Sequence, residues 1–241
     1  MGIKMNWEIG KLKKVALELY GDEHGKLLAK ALDSIFENQD FARFHYAELK
    51  QLIESHSENK TRPQDYFRLV FTNDVDVLND EHHFKVACKA HIFALLRCLH
   101  CTPDLLAHVI YYSLNLEVIK PLGERSISLF NVKKLLCEKE VFPDVLASLN
   151  DFSSDENYLH LIALINHTKH RSNITPQLTY SLVEPVNKAH KFNFEAFCYD
   201  KKKYPATEAL SFLHQSYDYL SENVIEIGCQ INQLVLEKEW I

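Results

Sequence analysis

Only six glycines occur among the 241 residues, at Gly2, Gly10, Gly21, Gly25, Gly123 and Gly228, and none lies between the last two. That scarcity constrains the fold more than any other feature. Loops that cradle dinucleotides or nucleotide phosphates need several glycines, because their backbone takes positive φ and approaches the phosphate closely, and neither GxGxxG nor GxxxxGK[ST] is present. No nucleotide cofactor is therefore expected. A many-stranded barrel or sandwich, which spends glycine on its turns, is a poor reading for the same reason.

Hydrophobic residues make up 46% and charged residues 25% of the chain, which suits an ordinary globular core and argues against disorder or a rod. The formal charge of −6 gives no global basic footprint, so coating duplex nucleic acid by charge alone is disfavoured, while a local basic site stays open. No run of 18 apolar residues occurs, and the opening Met1-Gly2-Ile3-Lys4-Met5-Asn6 lacks an export-signal core, so a cytoplasmic protein with no membrane contact is expected. In that compartment Cys88, Cys98, Cys101, Cys137, Cys198 and Cys229 would stay reduced and act as small buried hydrophobes.

Apolar residues recur at three and four positions through most of the chain, the repeat of amphipathic helices. The pattern predicts helices near 6–20, 24–38, 40–57 and 63–72, then an apolar helix from Asp80 to Cys101 and a restart at Thr102-Pro103-Asp104. Shorter helices are expected near 131–138 and 143–150. Ser154-Asp155-Glu156 should cap a buried helix over 155–171. Alternation at Leu178, Tyr180 and Leu182, and at Phe192 and Phe194, predicts a β-hairpin around Pro185-Val186-Asn187-Lys188. A final helix should start at Pro205 and run to about Glu237. The expected fold is mainly α, a single multi-helix bundle with one hairpin before a long C-terminal helix. Its parts are 1–78, 79–173, 174–204 and 205–241, with no linker between independent cores.

The strongest chemical signal is Asn166-His167-Thr168-Lys169-His170-Arg171 at the end of the buried helix. At about 100° per residue, Leu159, Ile162 and Ala163 share a face with Asn166, Lys169, His170 and Asn173, so a core-facing stripe is expected to turn polar. Such groups must pair inward or line a cleft. His170 and Lys169 fit acid–base and anion-binding roles, Arg171 fits bidentate phosphate binding, and Asn166 fits orientation of a reacting group. A structural clamp for the hairpin is the competing reading. His100 and Asp104, four apart, form a secondary pair. Cys98-x-x-Cys101 lacks the second ligand pair that structural zinc needs, so no metal is expected. His82-His83, His160 and His167 read as surface or capping histidines. Lys201-Lys202-Lys203 reads as a solvated turn, or else as part of a nucleic-acid groove flanked by Tyr199 and Tyr204.

The order of helical bundle, N-x-x-K-H-R motif, hairpin and long helix resembles the HEPN (higher eukaryote and prokaryote nucleotide-binding) helical superfamily. The resemblance spans about Asp80 to Leu236 and rests on Asn166, Lys169, His170 and Arg171, with Leu99-His100 and Asp104 a weaker echo. It implies a nucleic-acid-directed protein, with metal-independent RNA cleavage as one activity. The superfamily's nucleases carry arginine followed by four to six residues and then histidine, whereas here His190 is the next histidine after Arg171. Three readings stay open: a ribonuclease, a non-catalytic module binding RNA or another anionic ligand, and a structural clamp. A homodimer through the central helices and a protein partner such as an antitoxin are expectations about assembly.

Overall fold

The computed structural model describes residues 7–60, 62–171, 174–181, 183–185 and 190–237. Among them the fold is mainly α, with helices α1 (Ile9–Tyr20), α2 (Asp22–Ser57), α3 (Pro63–Val70), α4 (Val75–Ser113), α5 (Leu116–Ile119), α6 (Leu129–Lys139), α7 (Pro143–Ser154), α8 (Glu156–His170) and α9 (Ala209–Glu237). Five short strands precede α9: β1 (Gln177–Tyr180), β2 (His190–Phe194), β3 (Phe197–Tyr199), β4 (Lys202–Tyr204) and β5 (Thr207–Glu208).

Helix ends follow local chemistry. Gly21 takes φ 87 and stops α1, among the described residues the one turn where a glycine's left-handed freedom is used. Asp74 caps α4 by accepting from Asp76 N at 3.0 Å, and Asp155 caps α8 from Asn157 N at 2.8 Å and Tyr158 N at 3.0 Å, as the Ser154-Asp155-Glu156 signal predicts.

Several boundaries differ from the sequence pattern. No proline or glycine interrupts residues 37–42, and α2 runs straight through the break expected near residue 39. Thr102-Pro103 does not restart a helix. Pro103 lies inside α4, where it lacks an amide proton, and burial of Leu95, Leu96, Leu99, Leu106 and Ile110 in the flanking turns outweighs the missing hydrogen bond. Pro205 does not start α9 either, because Thr207 and Glu208 are used as β5. The Glu208 carboxylate then caps α9, accepting from Leu210 N at 2.8 Å and Ser211 N at 2.6 Å.

The β region holds two antiparallel sheets where one hairpin is expected. β1 pairs with β2, with Leu178 opposite Phe192 and Tyr180 opposite His190, and β5 adds to the far edge of β2. β3 and β4 form a second hairpin with Tyr199 opposite Lys202, closed by Asp200 and Lys201 at φ 46 and 67. Of the three lysines only Lys201 is in the turn. Leu182, Val186, Asn187, Lys188 and Asn173, as well as Met1–Asn6, lie outside the described residues.

The chain groups into two compact units, one of residues 1–40, 99–159 and 218–241 and another of 41–98 and 160–217, with boundaries inside α2, α4, α8 and α9 rather than at a linker. In the first, Leu12, Leu28, Ile35, Ile110, Phe152 and Ile231 are buried, and Trp7 meets Phe36 at 5.4 Å between ring centroids. In the second, Leu49, Tyr66, Ile92, Leu164, Phe192 and Phe194 are buried. None of the six cysteines is in a disulfide, and only Cys88 and Cys229 are buried. Cys137 and Cys198 are exposed, contrary to the expectation that all six are core residues.

Candidate functional site

The last two turns of α8 do not present their polar residues as a polar end to a core-facing stripe. Tyr158, Leu161, Leu164 and Ile165 form the buried face; of the expected stripe Ala163 is buried, but Leu159 and Lys169 are exposed and Ile162 and Asn166 half-buried, so the side through Asn166 and Lys169 is turned mainly to solvent. His170 and Arg171 are exposed as well. The error is one of phase. The run from Tyr158 to Ile165 is apolar almost all round, and periodicity alone gives such a run no preferred face.

A different line of α8 meets the β3–β4 hairpin. His160, His167 and Arg171 stand seven and four residues apart, which returns each to the same helix face, and Lys169 projects to the opposite side. His160 packs against Phe197, Tyr204 and Phe212 at centroid distances of 5.7, 5.1 and 4.8 Å, and His167 meets Phe197 edge-on at 5.7 Å. Burial first, and then the charge of Lys202, lower the pKa of His160 below the ordinary histidine range. Phe197 and Tyr204 stack on each other at 5.0 Å. At the open end the Arg171 guanidinium lies over the Tyr199 ring at 5.4 Å, and Lys202 Nζ lies 5.4 Å from the centre of Tyr204. Antiparallel pairing puts Phe197, Tyr199, Lys202 and Tyr204 on one face of the hairpin. Lys169, His170, Arg171, Lys201, Lys202 and Lys203 are all exposed, and of these Arg171 and Lys202 lie against the aromatic rings of the hairpin.

Asp104 Oδ1 accepts from Leu129 N at 3.0 Å and so anchors the start of α6, and His100 is half-buried. Among the described residues no group of three or more His, Cys, Asp or Glu side chains comes together in a way that could hold a metal ion.

A second cluster, missed in the sequence, is built from α2, α3, α4, β1 and β2. His56 Nε2 lies 2.5 Å from Glu81 Oε1, and the two side chains are 9% and 7% exposed. Tyr180 donates to Glu81 Oε2 at 3.1 Å, and Lys85 Nζ lies 3.7 Å from the same oxygen. Burial alone would raise the pKa of Glu81. Hydrogen bonds from His56 and Tyr180, with the charges of His56 and Lys85, outweigh it and leave the carboxyl below its ordinary value. An ionised carboxylate only accepts, so the proton on His56 Nε2 points at Glu81. His56 stacks on Phe84 at 3.8 Å, and His190 packs on Tyr66 at 4.7 Å and lies 5.3 Å from His56. Burial first, then the charges of His56 and Lys60, hold His190 down to about 4 against the opposing charge of Glu81. Glu81 lies 25 residues from His56 and 99 from Tyr180, separations that no local motif reveals.

The chain matches no protein-family model, and comparison with curated proteins and with solved structures gives no match.

Proposed function

We propose that this chain binds single-stranded RNA on the surface formed by the end of α8 and the β3–β4 hairpin. The observation that carries the reading is the Arg171 guanidinium over the half-buried Tyr199 ring at 5.4 Å, with exposed Lys202 paired opposite Tyr199 on the same face of the hairpin. Single strands are held by cations that follow the phosphates together with planar groups on which bases stack, and this surface offers both. Its local positive charge accounts for anion binding on a chain whose net charge is −6. The resemblance of the Asn166–Arg171 motif to the HEPN superfamily points to the same class of ligand.

Binding is better supported than cleavage. A general acid or base is oriented by a partner, and the described residues give the exposed His170 ring no such hydrogen bond. The test is anisotropy of a labelled RNA oligomer across a salt series, with EDTA present and the product run on a gel. Intact RNA bound in a salt-dependent way, with Arg171→Ala weakening affinity about tenfold and lowering the salt slope by about 0.7, is the expected result. RNA cleavage abolished by His170→Ala would favour the nuclease reading instead. Absence of binding at low salt, or affinity unchanged in Arg171→Ala, would overturn the proposal.

A further inference from the structure

We infer that a cleft bounded by the last turns of α1 and α9, by α5 and by the start of α7 is a binding site for a small amphiphilic amine, whose apolar body fills the cleft and whose ammonium meets Asp144. The cleft has a volume of about 660 Å³, within the range of sites that hold small molecules. Every lining residue belongs to the compact unit of residues 1–40, 99–159 and 218–241, whereas Arg171, Tyr199 and Lys202 belong to the other, so the RNA-binding surface makes no use of it.

The walls call for an apolar body. Leu19, Leu114, Val118, Ile119, Val145 and Leu234 line the cleft, and Val118 is 79% exposed. Water against such a surface is released when an apolar molecule covers it, which is the main driving force for filling a site of this kind. The aromatic part of the wall is strained. Phe142, which also lines the cleft, takes φ 49 and ψ 58, a left-handed conformation that a bulky side chain disfavours and that the following Pro143 disfavours again. Backbone of this kind is costly, and it gathers where a fold clamps a ligand.

Charge selects the head group. Among the described residues no Lys, Arg or His lines the cleft, and its one charged lining residue, Asp144, is exposed and makes no ion pair. Glu117 and Glu140, exposed and next in sequence to the lining residues Val118 and Val141, make none either, while Lys120 is taken up by Glu138 at 3.4 Å. An ammonium therefore gains at this cleft what a carboxylate loses. Because Asp144 is in contact with water, its share of the affinity is modest, about threefold.

The experiment titrates octylamine, octanol and octanoate into the full chain, with calorimetry for affinity and the methyl NMR signals of Leu19, Val118, Ile119 and Leu234 to locate the ligand. The three share one apolar body, so their order reads the head group alone. Octylamine should bind about threefold more tightly than octanol, and octanoate most weakly, with the amine's advantage shrinking as salt is raised. Asp144→Asn should level octylamine with octanol and leave octanol unchanged. Phe142→Gly, which relieves the left-handed strain, should keep the melting temperature within a few degrees and weaken octylamine and octanol alike. Absence of binding by octylamine, methyl shifts confined to residues outside the cleft, or octanol binding as tightly as octylamine to the wild type would overturn the inference. So would an amine preference that survives Asp144→Asn, or affinities unchanged in Phe142→Gly.

Discussion

His56 Nε2 sits 2.5 Å from Glu81 Oε1, joining the last turn of α2 to the second turn of α4 with both side chains more than nine-tenths buried. Removing one partner of such a pair strands the other. Glu81→Ala should therefore cost roughly 3–5 kcal/mol in urea unfolding, while Glu81→Met combined with His56→Phe should recover much of that loss. A cost below about 1 kcal/mol for Glu81→Ala would mean that water reaches the pair.

Acid should destabilise the fold through His190 before it does so through Glu81. The His190 imidazole is held down from 6.5 to about 4, so between those values the unfolded chain binds a proton that the folded chain does not. Its contribution is present above 6.5 and is lost as pH falls toward 4, an amount of roughly 3 kcal/mol. Glu81, also depressed, adds a loss at lower pH, as its folded value is passed. Urea midpoints at pH 7 and pH 4.5 should differ more for wild type than for His190→Phe, and equal differences would count against this account.

The β3–β4 turn uses left-handed backbone at Asp200 and Lys201 without a glycine. Non-glycine residues pay about 1 kcal/mol there. Lys201→Gly should raise the melting temperature by roughly 2–4 °C, and Lys201→Val should lower it. RNA affinity should weaken slightly in Lys201→Gly, since one exposed cation is lost while the fold gains.

Gly228 lies inside α9, and a Cβ built there would meet the Trp7 ring at 2.4 Å. Alanine is the better helix former by about 1 kcal/mol, but displacing a packed indole costs about 1–3 kcal/mol. Gly228→Ala should thus be destabilising on balance, with a shift in tryptophan emission as Trp7 is pushed outward. A rise in stability would show that Trp7 moves aside without cost.

The sequence pattern carries the mainly α fold, the Asp155 cap and the strand residues Leu178, Phe192 and Phe194, because these depend on neighbours within a few positions. It does not carry the phase of α8, whose apolar residues surround the helix. It does not carry the persistence of α4 through Pro103, which depends on burial in the turns either side. Of the candidate site, Arg171, Tyr199 and Lys202 are legible as basic and aromatic residues, but their convergence depends on pairing between β3 and β4. The His56–Glu81–Tyr180–His190 cluster is silent in the sequence, since each member comes from a different segment and resembles an ordinary surface or core residue there.

The seat of Trp7 against Gly228 bears on how the protein is made. The unit holding both is assembled from residues 1–40, 99–159 and 218–241, so its core cannot close until α9 has been synthesised. At about 5–20 residues per second, Trp7 waits roughly 10–40 s for Gly228. A ribosome paused before residue 218 would therefore carry a chain with adhesive apolar surface, and chaperone occupancy should peak on nascent chains of that length.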